Sequence, residues 1–282
     1  MWVWLAVGSA FMLGVYDVAK KKSLKRNSSI NVLLSATAFS TLFLSPWLSA
    51  GTLQDHLHIM LKAVLVTVSW ISGMEGLKRL PITIASTIKA SRPVFVLLFS
   101  LLLFGERLNL WQWTGTIIAL TSLFMLSLSS KKEGIDFVHN KGIAWMTLSV
   151  IAGVASALYD KHIMGFMEPL FVQSWGNFYI TILMGIIVLA DYFKEKENFQ
   201  KFTWDWTILL IAIFITVADA LYFFSLKDEG AMLSIISMIR RSSVIVTFIC
   251  GALLFKETNI RRKAIDLLVL IAGMALIVFG SA

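Results

Sequence analysis

The chain has 282 residues, of which 57% are hydrophobic and 15% charged. Soluble domains carry about a quarter of their residues as Asp, Glu, Lys or Arg, so this composition excludes a water-soluble globular protein. The formal net charge of +8 would suit a nucleic-acid partner, but its distribution along the chain, described below, excludes one.

Ten apolar runs of roughly 18 residues or more follow one another, each long enough to cross a bilayer as a helix. They lie at about 2–19, 31–50, 59–77, 82–104, 111–128, 143–164, 170–190, 206–226, 231–255 and 264–280, and nothing is left over for a soluble domain. Segment 1 ends in Tyr16-Asp17, and its positive residues (Lys20, Lys21, Lys22, Lys25, Arg26) follow it rather than precede it. It is therefore expected as a retained helix and not a signal peptide. Segment 3 holds Trp70, and segment 4 carries Lys89 and Arg92 near its middle. Segment 6 ends in Tyr159-Asp160, segment 7 contains Trp175 and Asn177, and segment 8 contains Asp219 and Tyr222. Segment 9 carries Arg240 and Arg241.

Cys250 is the single cysteine, and the four histidines (His56, His58, His139, His162) fall in connections or at helix ends. No pair has ligand spacing on a helix face, so neither a metal site nor a cofactor is expected. No nucleotide-binding motif is present. Clustered acids for a metal, or a nucleophile with its base, are missing too, which argues against an enzyme acting on lipid phosphates.

The connections after segments 1, 3, 5, 7 and 9 hold 17 of the 25 Lys and Arg, and the opposite side holds only Lys62, Arg107, Lys161 and Lys227. The positive-inside rule makes the rich side cytoplasmic and puts both termini outside. The expectation is a multi-pass protein of the plasma (inner) membrane, with the lipid bilayer as its surroundings.

The two halves repeat. WVWLAVGSAFMLGVYD (2–17) aligns with WMTLSVIAGVASALYD (145–160), and STIKASRPVFVLLFSLLLFGE (86–106) aligns with SMIRRSSVIVTFICGALLFKE (237–257). This register superimposes Lys89 on Arg240, Ser91 on Ser242 and Glu106 on Glu257. Five segments per repeat is an odd number, so the second copy enters from the opposite side. The expected fold is an all-α membrane protein of ten transmembrane helices in two inverted five-helix repeats, 1–130 and 142–282, with the substrate site near the midplane at their interface.

At these residues, above all FGERL (104–108) and its copy FKETN (255–259), the chain resembles the drug/metabolite transporter superfamily with its paired EamA-type repeats. Segment 4 (Ile88-Lys89-Ala90, then Pro93-Val94-Phe95) and segment 9 (Arg240-Arg241, then Val244-Ile245-Val246) are locally similar to triose-phosphate translocators. That likeness implies anion-binding roles for Lys89, Arg240 and Arg241. Arg92 departs from it, since the translocators have an acidic residue there.

Residues three or four apart share a helix face, so Thr83, Ser86, Lys89 and Arg92 form one polar stripe, with Pro93 favouring a kink beside it. A charge at the bilayer centre costs about 2.5–3.5 kcal/mol on insertion scales, so the four cations mark a site. Asp219 is the one acid at comparable depth, which leaves about three positive charges to be met by a substrate anion. Trp70, Trp175, Asn177 and Tyr222 are candidates for touching the substrate body, with packing as the plainer alternative. Asp17 and Asp160 are candidates for a gate or proton relay, or else interfacial carboxylates paired with Lys20, Lys21 or Lys161. Together these features predict a secondary transporter of a small anionic metabolite, phosphorylated or carboxylated, working by alternating access. The alternative substrate is an amino acid or other amphipathic solute, its ammonium held by Asp219.

Overall fold

A chain in hydrocarbon must satisfy its backbone hydrogen bonds internally, and these apolar runs do so as helices. The computed structural model describes residues 1–23, 27–80, 88–89, 91–128, 140–194, 203–255 and 260–281. Every regular element among them is helical. In chain order they are α1 (Trp2–Ser23), α2 (Ser29–Leu44, running into a 3-10 turn at Ser45–Trp47), α3 (Leu53–Arg79), α4 (Arg92–Phe104), α5 (Leu110–Leu128), α6 (Lys141–Met164), α7 (Pro169–Lys194), α8 (Trp206–Lys227), α9 (Leu233–Arg241), α10 (Ser243–Phe255) and α11 (Ile260–Ser281).

Local signals set several of these boundaries. Thr52 and Asp55 form a reciprocal capping box at the start of α3, which satisfies backbone N–H groups that a helix end leaves unpaired. Asn140 and Asp205 cap α6 and α8 through Gly142 and Thr207. Six of the described helices (α1, α2 with its 3-10 turn, α3, α6, α7, α8) are long and apolar enough to cross a membrane, and α4 and the end of α11 are shorter apolar helices. Large side chains such as Leu102, Phe193 and Phe279 stay exposed on outward faces. In water such surface would be an aggregation hazard; against lipid it is expected.

Segments 4 and 9, each expected as one spanning helix with a kink favoured at Pro93 in the first, are interrupted. At Ser242 the N–H and the hydroxyl both donate to the Ile239 carbonyl, at 3.0 and 2.6 Å. This tightens the turn to the i→i+3 type, so α9 stops and α10 starts anew. At Ser91 the N–H and hydroxyl likewise reach the Ile88 carbonyl, at 3.2 and 2.6 Å. There the chain restarts as α4 with Pro93 in its first turn, where its missing N–H costs nothing. Thr83 and Ser86, part of the expected polar stripe, and Glu257 lie outside the described residues.

Neighbours are paired as α1 with α8, α3 with α6, α2 with α7 and α5 with α11; α1 also meets α10, α6 meets α4, and α9 lies on α4. Small residues permit these approaches. Between α3 and α6, Ser69 and Ser149 exchange hydroxyl-to-carbonyl hydrogen bonds of 2.8 and 2.6 Å. Between α5 and α11 the backbones touch: a Cβ on Gly115 would lie 2.6 Å from the Gly273 carbonyl oxygen. Gly185 by contrast has nothing within 4 Å of such an atom.

Gly115→Ala is therefore expected to push α11 away at a cost of about 1–3 kcal/mol, seen as a lower midpoint of thermal unfolding in detergent. Gly185→Ala, which gains helix propensity and meets no clash, should not lower it. Equal midpoints would contradict the close α5–α11 contact.

Candidate functional site

Where the two interruptions meet, the helices leave a cavity of about 520 Å³. It is lined by residues of α1, α2, α3, α4, α6, α7, α8 and α9, with Lys89 and Ser243 flanking the interruptions; among the described residues none comes from α5 or α11. Six cationic side chains face it (Lys20, Lys62, Lys89, Arg92, Arg240, Arg241) against three carboxylates (Asp17, Asp160, Asp219). The formal excess is three positive charges.

Two of the cations have acids of their own. Lys62 Nζ lies 2.7 Å from Asp160 Oδ1, with both side chains only 8% exposed, and 4.8 Å from the centre of the Phe223 ring. Arg240 donates to Asp219 Oδ1 at 2.7 Å and stacks on Tyr222, its guanidinium carbon 4.1 Å from the ring centre. The Tyr222 hydroxyl makes a long, weak contact of 3.4 Å with Asp160. Tyr222 thus stands between two ion pairs that join α3 to α6 and α8 to α9.

The other three cations around the interruptions are held differently. Arg92 donates to the Gly153 carbonyl at 2.6 Å, and Arg241 to the Lys89 carbonyl at 2.8 Å. The Lys89 amine has no hydrogen-bond or ion-pair partner among the described residues, its neighbour across the gap being Gly73. Neutral carbonyls do not cancel charge, and none of these three groups makes an ion pair among the described residues, Asp17 being the remaining carboxylate of the cavity. Arg92 reaches its acceptor because Gly153 has no side chain: a Cβ there would sit 2.9 Å from the guanidinium carbon.

Several expectations change. Lys62, counted with the outer connections, lies inside the apolar run that begins at about residue 59, and it is buried; that inclusion was the available signal. Asp160 is a buried partner of Lys62 and not an interfacial acid paired with Lys161, which instead donates to the Ala231 carbonyl at 2.7 Å. Asp219 is not the one acid at depth, since Asp17 and Asp160 share the cavity. Trp70, Tyr222 and Asn177 line the cavity, Asn177 donating to Ser40 Oγ at 2.8 Å. Trp175 does not. Its ring packs on His56 and its N–H donates to the Ser49 carbonyl at 3.0 Å, tying α7 to the loop before α3.

A model of the EamA-like transporter family matches residues 1–128 and again residues 140–279. The chain belongs to the EamA-like transporter family. By its description that family is one of transporters. Among curated proteins, a riboflavin transporter of Rhizobium johnstonii is 26% identical over 176 residues, or 62% of this chain and 54% of that protein; the match thus spans about half of the relative's length. A solved protein structure superposes on 98% of this chain and 98% of its own, with a TM-score of 0.77 and 12% identity. At that identity the likeness is one of fold.

Removing one member of a buried ion pair strands the other, at about 3–5 kcal/mol, whereas replacing both with apolar groups is close to neutral. Lys62→Met should therefore lower the thermal midpoint of this EamA-family protein clearly. Adding Asp160→Leu to it should restore most of the loss. A double variant no better than the single one would contradict the pairing.

Proposed function

We propose that the protein is a secondary transporter of a small anionic metabolite, phosphorylated or carboxylated, whose charged group is held by Lys89, Arg92 and Arg241. The single observation that carries this reading is the cavity's formal excess of three positive charges, with Arg92 and Arg241 on backbone carbonyls and the Lys89 amine without a partner among the described residues. An incoming phosphate or carboxylate supplies the missing acceptors, and arginine's planar fork matches either. Arg240 belongs to the same site but acts through its pair with Asp219 and its stacking on Tyr222. Trp70, Tyr222 and Asn177 would meet the body of the solute, with Trp175 outside the wall. Asp17 is placed in this proposal as a cavity carboxylate available for coupling, and Asp160 as one that could couple only by leaving Lys62.

The architecture proposed with it is ten spans in two inverted five-helix repeats, about 1–130 and 142–282, rocking by alternating access. Three observations support it. The family match falls in two blocks. The helix pairings map onto one another when each helix is exchanged for its counterpart in the other half, α1–α8 with α6–α3 and α1–α10 with α6–α4. The interruptions at Ser91 and Ser242 fall at the same register with the same hydroxyl-to-carbonyl bond. Interrupted helices in corresponding positions of two halves are a strong pointer to a transporter's binding site. The charge split places both termini outside the plasma membrane in this reading.

A second reading has a flat ring-bearing solute as cargo. It rests on the relative named for riboflavin and on the rings of Tyr16, Trp70, Tyr222 and Phe223 around the cavity. A zwitterionic amino acid is the weaker alternative, because Asp219, which would hold its ammonium, is already engaged by Arg240.

Uptake into proteoliposomes separates these readings. A charge-assisted hydrogen bond contributes about 1.5–3 kcal/mol, and about 1.4 kcal/mol is tenfold. Lys89→Ala, Arg92→Ala and Arg241→Ala should each therefore cut uptake of the anion at least tenfold at low concentration. Saturable riboflavin uptake indifferent to those changes would favour the ring-bearing solute, and uptake of only neutral or cationic solutes would sink the anion reading.

A further inference from the structure

α9 is nine residues long, begins at the cavity wall with Leu233 and ends in Arg240 and Arg241. The first turn of any helix leaves N–H groups without intrahelical partners, and Met232, at the cap position, supplies no side-chain acceptor. The acceptor comes from the other half of the molecule. Glu106 takes the Leu233 N–H on Oε1 at 2.5 Å and the Ser234 N–H on Oε2 at 3.1 Å, and the Ser234 hydroxyl also donates to Oε2. A carboxylate there also meets the positive end of the helix dipole.

Sequence aims this carboxylate. Gly105 closes α4 in the left-handed conformation at φ 62°, which glycine adopts without strain. The chain turns there, and Glu106 falls on α9 instead of continuing along α4. At the opposite end of α9, Arg241 donates to the Lys89 carbonyl just before α4. The two helices therefore lie antiparallel and are tied at both ends, each time by a charged side chain on backbone groups. One tie is beside the cations of the cavity. The other, at Glu106, is behind Leu233, a cavity-lining residue with no exposed surface.

We propose that Glu106 is a positioning residue of the transport cycle: it latches α9 onto α4, seating Arg240 and Arg241 and closing the cavity toward the α4–α5 turn, and its release opens that side. Among the described residues no other side chain bonds the first turn of α9, so losing Glu106 leaves that end of the helix without its tie. The inference rests on the transporter reading but not on the cargo being an anion.

The test uses the full-length protein in sealed vesicles of known orientation, with Cys250→Ser removing the native thiol. Ser237→Cys, one turn into α9 at the cavity wall, places a single thiol that reports access to a membrane-impermeant maleimide. Arg107→Cys in a separate variant defines the side of the α4–α5 turn. Adding Glu106→Ala to the Ser237→Cys protein is expected to raise labelling of its thiol from that side at least tenfold and to leave labelling from the other side unchanged. Glu106→Gln, whose amide oxygen still accepts one N–H, should give a smaller rise on the same side. Labelling equal to the parent, or rising on both sides together as general loosening would make it, overturns the proposal. Should Glu106→Ala not assemble, Ser234→Ala removes only the hydroxyl contact; a same-side rise of a few-fold is expected, and no rise overturns the proposal. Because labelling needs no substrate, its outcome is independent of whether anion uptake is found.

Discussion

A guanidinium within an apolar bundle needs hydrogen-bond acceptors at once, and two backbone carbonyls supply them here, that of Lys89 at the first helix interruption for Arg241 and that of Gly153 in α6 for Arg92. Breaking the segments at Ser91 and Ser242 brings the chain around Lys89 and Arg241 close enough for Arg241 to take the Lys89 carbonyl. Arg92, at the first position of the restarted α4, takes the Gly153 carbonyl across the gap. The short α9 follows from the turn at Ser242, and both turns lie at the wall of the cavity.

The remaining cations are handled by ordinary pairing. Lys62–Asp160 is a buried ion pair and Arg240–Asp219 a partly exposed one, and a buried pair adds little net stability over apolar residues of the same size. Their placement matters: each joins two helices across the cavity, with Tyr222 between them. The contrast between paired and unpaired cations within one cavity is what distinguishes a proposed anion site from a set of structural bridges. It also reassigns emphasis within the quartet. Arg240, which the repeat matches to Lys89, is the member with an acid and an aromatic ring, while Arg92, which lies off the translocator-like pattern, is one of the three without a carboxylate.

Much of this was legible in the sequence because membranes make charges conspicuous. Lys89, Arg92, Arg240 and Arg241 stood out against apolar runs, and the helical, membrane-embedded class followed from composition. The repeat register matched Ser91 to Ser242, yet it did not say that both end a helix, since serine hydroxyls bonding back to a carbonyl occur in continuous helices as well. Lys62 was hidden by its position near one end of a span, where a lysine ordinarily snorkels to water. Its burial is decided by Asp160 and Phe223, which arrive from α6 and α8. Trp175 was misplaced for a related reason: the face of α7 that meets the cavity depends on how α2 and α3 pack against it. The role of Glu106 required seeing that α9 starts beside it.

The central claim, that Lys89, Arg92 and Arg241 form an anion site, is tested most directly by anomalous diffraction from crystals grown with a heavy oxyanion such as selenate or tungstate. An anomalous peak is expected within hydrogen-bonding reach of Lys89 Nζ and the two guanidinium groups, and it should be lost in Lys89→Ala. Crystals that hold the anion only on the surface connections, with Arg92 and Arg241 still on their carbonyls, would contradict the claim.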